Sequence, residues 1–480
     1  MEGKTKMSRN KITWAMLSLA LLAGFAGHGV RGQQPSRAVV AERRSRPGYV
    51  PKHLRVRGIE TAGPAKMAGP AKTVDEPTVE WSAAADDLRI ERSGVRPASF
   101  EEIPSYIGDA CETCDGCGRT ACAGGCCFPV SLSMRGEYLL WSLKGQRVPA
   151  LATSSPSSTP QAQAGVLGTV GVRTLLGGDE IAGDSRSGFR VGLSLLLDPR
   201  WDQAIDVEYS QLADDGDTFH GTASDFSILA RPFFNSQTNA EDSRLIVFPN
   251  LVTGTLDIRA DTGLETLTAG FRRLAAQSGI SSMDLFAGYR YARLEDDVQF
   301  LENTASLSGP TEGATFLLSE RFRSENQFQG GQLAARYHTH DINGWVLELN
   351  ASLALGNNHS GIDVRGSTQS TSAAGASNTV RGGLLVQGTN AGHFEQDDFS
   401  TISEFRANLR RQLTWNVSAL VGYNFLLWTN TIRAGDNIDR TLNPSQIPPG
   451  TLTGDPRPEF PMRSVDFWAQ GLSAGLEVRF

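Results

Sequence analysis

The last sixteen residues, VDFWAQGLSAGLEVRF, alternate without a break. Phe480, Val478, Leu476, Ala474 and Leu472 fall on one side, and Arg479, Glu477, Gly475, Ser473 and Gly471 on the other. A period of two gives a strand with one apolar and one polar face. The pattern recurs upstream. Leu132, Met134, Tyr138 and Leu140 oppose Ser133, Arg135, Glu137 and Trp141; Phe189, Val191, Leu193, Leu195 and Leu197 oppose Arg190, Gly192, Ser194 and Asp198. Ile205, Val207 and Tyr209 oppose Asp206, Glu208 and Ser210, and Met283, Leu285, Ala287, Tyr289 and Tyr291 oppose Asp284, Gly288 and Arg290. Further along, Trp345, Leu347, Leu349, Ala351, Leu353 and Leu355 oppose Glu348, Asn350 and Ser352. Phe405, Ala407 and Leu409 oppose Glu404, Arg406, Asn408 and Arg410, and Val417, Ala419, Val421, Tyr423, Phe425 and Leu427 form one more apolar face. Charges spaced by two along otherwise apolar strands require that their shared side be wet or internally paired.

Five strands ascend, from about 131, 203, 281, 344 and 416, and five descend, from about 187, 264, 328, 402 and 466. The region 222–260, with SDFSILARPFF and LVTGTLDIRA, is expected to add a pair, for about 12 strands within a range of 10–14. Short turns near Pro199, 278–279, 340–344 and Leu413 alternate with long connections over about 144–186, 295–327, 357–401 and 429–464. Tight turns at one rim and long loops at the other are the asymmetry of a transmembrane barrel, and an even strand number brings the last strand beside the first. The expected fold is therefore all-β: a transmembrane antiparallel up-and-down β-barrel over 131–480, with girdles from Tyr138, Trp141, Trp201, Tyr209, Tyr289, Tyr291, Trp345, Trp415, Tyr423 and Trp468. The end of the chain also resembles the assembly signal of bacterial outer-membrane barrels, carried by Ser473, Gly475, Val478 and Phe480. That resemblance implies the barrel-assembly machinery and outer-membrane lipid as partners.

Mean hydropathy is -0.25, and no run of eighteen apolar residues follows the N-terminus, which excludes a helical span but not a barrel. Lys4, Lys6, Arg9 and Lys11 precede the apolar run 12–26, and Val30-Arg31-Gly32 is a cleavage candidate, so residues 1–32 read as a secretory signal peptide. Its removal takes away three Lys, two Arg and one Glu and moves the net charge from -7 to -11. An exported acidic chain is a poor nucleic-acid binder. Residues 33–110 are rich in Pro, Ala, Gly and Arg without sustained period and read as a disordered linker. Its basic cluster, Arg37, Arg43, Arg44, Arg46, Lys52, Arg55 and Arg57, is either a solvated tail or an arm that contacts an anionic envelope polymer.

All six cysteines, Cys111, Cys114, Cys117, Cys122, Cys126 and Cys127, lie within 111–127. In an oxidising compartment they read first as a disulfide framework, with metal ligation and cross-links to other chains as alternatives. Neighbouring Cys126 and Cys127 can hardly bond each other without strain. No histidine lies in a nucleophile elbow or metal motif; His220, His359 and His393 are expected in loops, and no cofactor is called for. Gly165, Gly168 and Gly171 lack the strand-to-helix context of a phosphate loop. The chemistry that remains is the bore. Arg135, Glu137, Arg190, Asp206, Glu208, Asp284, Arg290, Glu348, Glu404, Arg406, Arg410, Glu477 and Arg479 all take the inward parity, either lining a charged pore or pairing to fill the interior. The loop group Arg433, Asp436, Asp439 and Arg440 reads first as an ion-paired brace, with part of a constriction as the alternative.

Several blocks in order, RGEYLLW, AGVLGTVGVRTLLGG, MDLFAGYRYARLEDD, NQFQGGQLAARY, VGYNFLLWTNTIRAGDNIDRTLNPSQIPP and DFWAQGLSAGLEVRF, resemble the beta-barrel porin family 7 of planctomycete bacteria, over about 131–480. The resemblance implies an outer-membrane barrel; it carries no substrate, and the linker and cysteine cluster lie outside it. The expected function is a non-enzymatic porin-like passive channel for small polar solutes. The alternative is a structural or adhesive surface barrel with a closed lumen.

Overall fold

The computed structural model describes residues 131–197, 202–447 and 450–480. The signal peptide, the basic linker, the six cysteines, Trp201 and the turn at Pro199 lie outside the described residues. Ten strands form the barrel: β1 Ser131–Leu143, β2 Ser185–Leu196, β3 Gln203–Thr222, β4 Val252–Gln277, β5 Ser281–Ser306, β6 Thr315–Thr339, β7 Trp345–Thr371, β8 Gly392–Gln412, β9 Val417–Ile432 and β10 Ser464–Arg479. Each pairs antiparallel with its chain neighbours, and β1 closes the ring on β10 from Ser133↔Arg479 to Leu143↔Ala469. Closure satisfies the terminal strand, whose last residue donates Phe480 N–H to Leu132 O at 2.8 Å.

The count sits at the low end of the expected range, because the region 222–260 adds no pair to the ring. LVTGTLDIRA is the upper part of β4, whereas SDFSILARPFF supplies a strand, Leu229–Asn235, of a small sheet separate from the ring. That strand is buried on nearly every residue, on both faces. A fully buried strand does not alternate.

The outward positions of the lower half form an apolar belt. Met134, Tyr138, Phe189, Val191, Leu193, Leu285, Tyr289, Leu353, Leu355, Val421 and Leu472 are exposed there. At about 3.3 Å per residue, the ten steps from Trp345 to Leu355 cover roughly 33 Å along β7, or about 25 Å of height at the usual tilt, which matches a lipid-facing band. Trp141 is a correction to the girdle: its side chain points into the barrel and is 2% exposed.

β4 to β8 are 21 to 27 residues long and run well beyond that belt. Here the polarity inverts. On β4 the outward residues are Asp257, Arg259 and Asp261, while Leu256, Ile258 and Ala260 are buried inside. The predicted connections 295–327 and 357–401 are thus largely strand. The outer wall carries ion pairs such as Arg293–Glu325 at 2.9 Å and Arg323–Glu295 at 3.4 Å, as suits a surface in water.

Two inward glycine pairs bring neighbouring strands into close contact. Gly330 lies opposite Gly356, where a Cβ on Gly356 would meet Gln329 O at 2.1 Å, and Gly270 lies opposite Gly288. Only residues without side chains allow backbones to approach so closely. Gly356→Val is expected to abolish the heat-modifiable folded band on unheated gels; a normal band would contradict the need for this close approach.

Candidate functional site: the barrel interior

All thirteen predicted interior charges face inward, and they form two layers of ion pairs. Toward the tight-turn rim, Glu477 is shared by Arg135 at 2.6 Å, Arg479 at 2.9 Å and Arg410 at 3.4 Å. Glu348 joins the same group through Arg135 and Arg410, each at 3.0 Å. On the other side of the bore, Arg272 bridges Asp206 at 2.9 Å and Asp284 at 3.0 Å. Arg272 and Arg336 were not singled out from sequence. Arg272 stands in a Phe-Arg-Arg run where parity is ambiguous, but counting by twos from Gln332 would have found Arg336.

The second layer is buried except at Arg406 and Glu208, which line the space beneath it. Glu404 contacts Arg290 at 2.5 Å, Arg406 at 2.6 Å and Arg190 at 3.6 Å. Arg190 also reaches Glu137 at 3.1 Å and donates to Asn424 Oδ1 at 3.0 Å, while Arg406 donates to Glu208 at 2.7 Å. Charges removed from water are tolerable when each is paired and hydrogen-bonded in this way. Asn424 in turn donates to Ser473 Oγ at 3.1 Å, so Ser473 of the terminal motif faces the interior, as does Gly475, where a Cβ would meet Gly136 O at 2.1 Å. Val478 and Phe480 face outward, and Phe480 is 68% exposed.

Above the charges the bore is apolar. Leu139, Trp141, Leu143, Leu212, Leu264, Ala292, Leu294, Phe328, Ala354, Ile402, Leu426, Trp428, Phe467 and Ala469 form one continuous cluster of inward side chains from nine of the ten strands, none more than 4% exposed. Phe328 meets Trp428 edge to face with centroids 6.1 Å apart. Next comes a thin polar layer, with Arg433 on Asp296 at 3.0 Å, Asn326 donating to Ile432 O at 2.8 Å and Asn358 donating to Asn430 O at 2.9 Å.

Loop segments fill the upper barrel. Val148, Leu151, Phe233, Leu384, Leu385 and Ile438 pack against Leu256, Ile258, Phe300 and Phe322 of the wall. Among them Arg231 pairs with Glu320 and, at 3.4 Å, with Glu302. Glu320 also accepts three loop N–H groups, from Leu384 and Leu385 at 2.6 Å and Val386 at 2.8 Å, a cradle that satisfies a buried carboxylate. The loop group behaves as a brace: Arg433 holds Asp296, Arg440 holds Glu241 at 2.8 Å, and Asp439 accepts from Thr441 N–H at 2.8 Å.

The histidines do not converge. His220, His359 and His393 stand on strands rather than in loops, on the outer wall above the belt, each against its own acid: Asp257 at 2.5 Å, Asp397 at 3.1 Å and Glu395 at 2.8 Å. The hydrogen bond and charge of Asp257 raise the pKa of His220 above its ordinary value. A raised folded-state pKa means that the pair stabilises below the ordinary histidine pKa and loses that contribution as pH rises through the folded value. NMR titration is expected to place the His220 midpoint above that of a free histidine, and Asp257→Asn to return it; an unshifted midpoint would dismiss the pair.

The sequence profile described as Putative beta barrel porin-7 (BBP7) matches residues 134–480. The chain belongs to that family. No curated protein matches it. Among solved structures, this BBP7 barrel is similar to the outer membrane protease OmpT from Escherichia coli, at 8% identity and a TM-score of 0.36, covering 73% of this chain and 96% of that one. It is also similar to a Pseudomonas aeruginosa FadL homologue, at 7% identity and a TM-score of 0.23, covering 73% and 90% respectively. A third likeness is to the P. putida toluene transporter TodX, at 7% identity and a TM-score of 0.19, covering 73% and 89%.

Proposed function

We propose that this BBP7 protein is a sealed outer-membrane barrel, a structural or adhesive element of the cell surface rather than an open pore. The apolar layer through Leu139, Trp141, Phe328 and Trp428 supports this most strongly, because a dry, close-packed cross-section gives ions and polar solutes no hydrated path. The loop-filled cap above it adds a second barrier. The belt faces outer-membrane lipid, and the terminal Ser473, Gly475, Val478 and Phe480 hand the chain to the assembly machinery. The rigid polar wall of β4 to β8 stands outside the membrane as the contact surface. A passive channel for small polar solutes is the competing reading; it would need the two ion-paired layers to be hydrated and the apolar layer to part. Proteoliposomes are expected to show no faster swelling in arabinose than protein-free vesicles. Swelling at the rate of a general porin would sink the proposal.

A further inference from the structure

The lower interior contains a cavity of about 530 Å³, bounded by the two ion-paired layers and reaching the tight-turn rim at Gln277, Thr339, His340 and Asp341. Its charges balance, with six arginines and six carboxylates in the lining, so net attraction singles out no ligand. The pairing, however, is uneven. The β1, β8 and β10 side is saturated by the Glu348 and Glu477 clusters. On the β6 wall, Arg336 has, among the described residues, its ion pairing confined to Asp206 at 3.6 Å, and that carboxylate is already held by Arg272 at 2.9 Å and Ser194 at 2.6 Å. Four residues deeper on the same strand face, Gln332 is 5% exposed and its Oε1 has no hydrogen-bond partner among the described residues. Between them stands Ala334, opposite Phe286 on one side and Ser352 on the other, which leaves a recess with an apolar wall.

A guanidinium and a buried acceptor, neither fully partnered among the described residues, thus stand either side of a small apolar step over about 13 Å, at roughly 3.3 Å per residue. We propose that this recess binds a small organic carboxylate whose far end carries a hydroxyl or amine. Arg336 takes the carboxylate as a bidentate partner, the ligand body lies on Phe286 and Ala334, and the far donor satisfies Gln332 Oε1. The ligand would enter from the tight-turn side, which is periplasmic in a barrel of this asymmetry. The inference rests on the dead-ended bore proposed above, which makes the cavity a receptor pocket and not a segment of a pathway.

The test is calorimetric titration of the refolded full chain with 4-hydroxybenzoate, benzoate, phenol and inorganic phosphate, to roughly 10 mM, where even millimolar affinity registers. 4-Hydroxybenzoate is expected to bind best, benzoate about fivefold more weakly for want of the far donor, and phenol weakest. Arg336→Gln should lose about tenfold or more in affinity for both carboxylates. Asp206 keeps Arg272 and Ser194 in that variant, so the barrel is expected to fold. Ala334→Leu, which fills the recess and changes no charge, should abolish binding. Unchanged affinity in either variant, phosphate binding as tightly as 4-hydroxybenzoate, or no heat from any of the four would overturn the proposal. Conductance recorded on the same preparation separates the two readings: binding with current removes the sealed barrel and leaves the site, whereas silence without binding does the reverse.

Discussion

Replacing Glu404 by alanine is expected to cost about 3–5 kcal/mol of barrel stability, the magnitude found when one member of a buried ion cluster is removed. Glu404 is the shared anion of Arg190, Arg290 and Arg406, at 3.6, 2.5 and 2.6 Å. Without it, among the described residues, Arg190, Arg290 and the partly exposed Arg406 keep only Glu137 and Glu208 as nearby ion partners. The apolar layer lies directly above, and Arg190 and Arg290 are each only 2% exposed, so the excess positive charge on them is poorly hydrated. Urea unfolding in lipid vesicles, followed by tryptophan fluorescence, should show a clearly lower midpoint. An unchanged midpoint would mean that water already reaches Arg190 and Arg290, and the interior would have to be redrawn as a hydrated passage.

The second large effect belongs to the seal. Phe328→Ala and Trp428→Ala each remove a fully buried ring from the apolar cross-section, at an expected cost of about 3–5 kcal/mol apiece. The rings touch edge to face, so the double variant should cost less than the sum of the two, a coupling that a double-mutant cycle would measure. Strict additivity would show that the rings do not form one packed layer.

The lower half of the barrel was legible because lipid outside and ion-paired charge inside impose opposite demands on alternate residues. Arg135 against Met134, or Glu477 against Leu476, gives the face of a lower strand directly, and the thirteen interior charges named from the pattern all lie on the inner face, whereas Arg272 and Arg336 were missed. The upper half was not legible for a physical reason. Past the belt the outside is wet and the inside is greasy, so one strand reverses the phase of its own pattern. Phe271 points out and Ile258 points in along the single strand β4, and read as one period the segment looks broken. The same reversal turned the far ends of β5 to β8 into apparent loops and left their histidines without a strand. Trp141 misled differently: its parity was inward, yet an aromatic near a strand end reads as a girdle residue, and only its packing on Arg190, 5.4 Å from the ring centroid, shows why it turns inside. No local pattern marks the apolar seal, because single residues from nine strands build it.

The claim on which the rest depends is that the bore is closed at that seal. Purified full-length protein, reconstituted into a planar bilayer at moderate voltage, measures this directly. A flat baseline from correctly folded wild-type barrel is the predicted result; regular stepwise openings would contradict it.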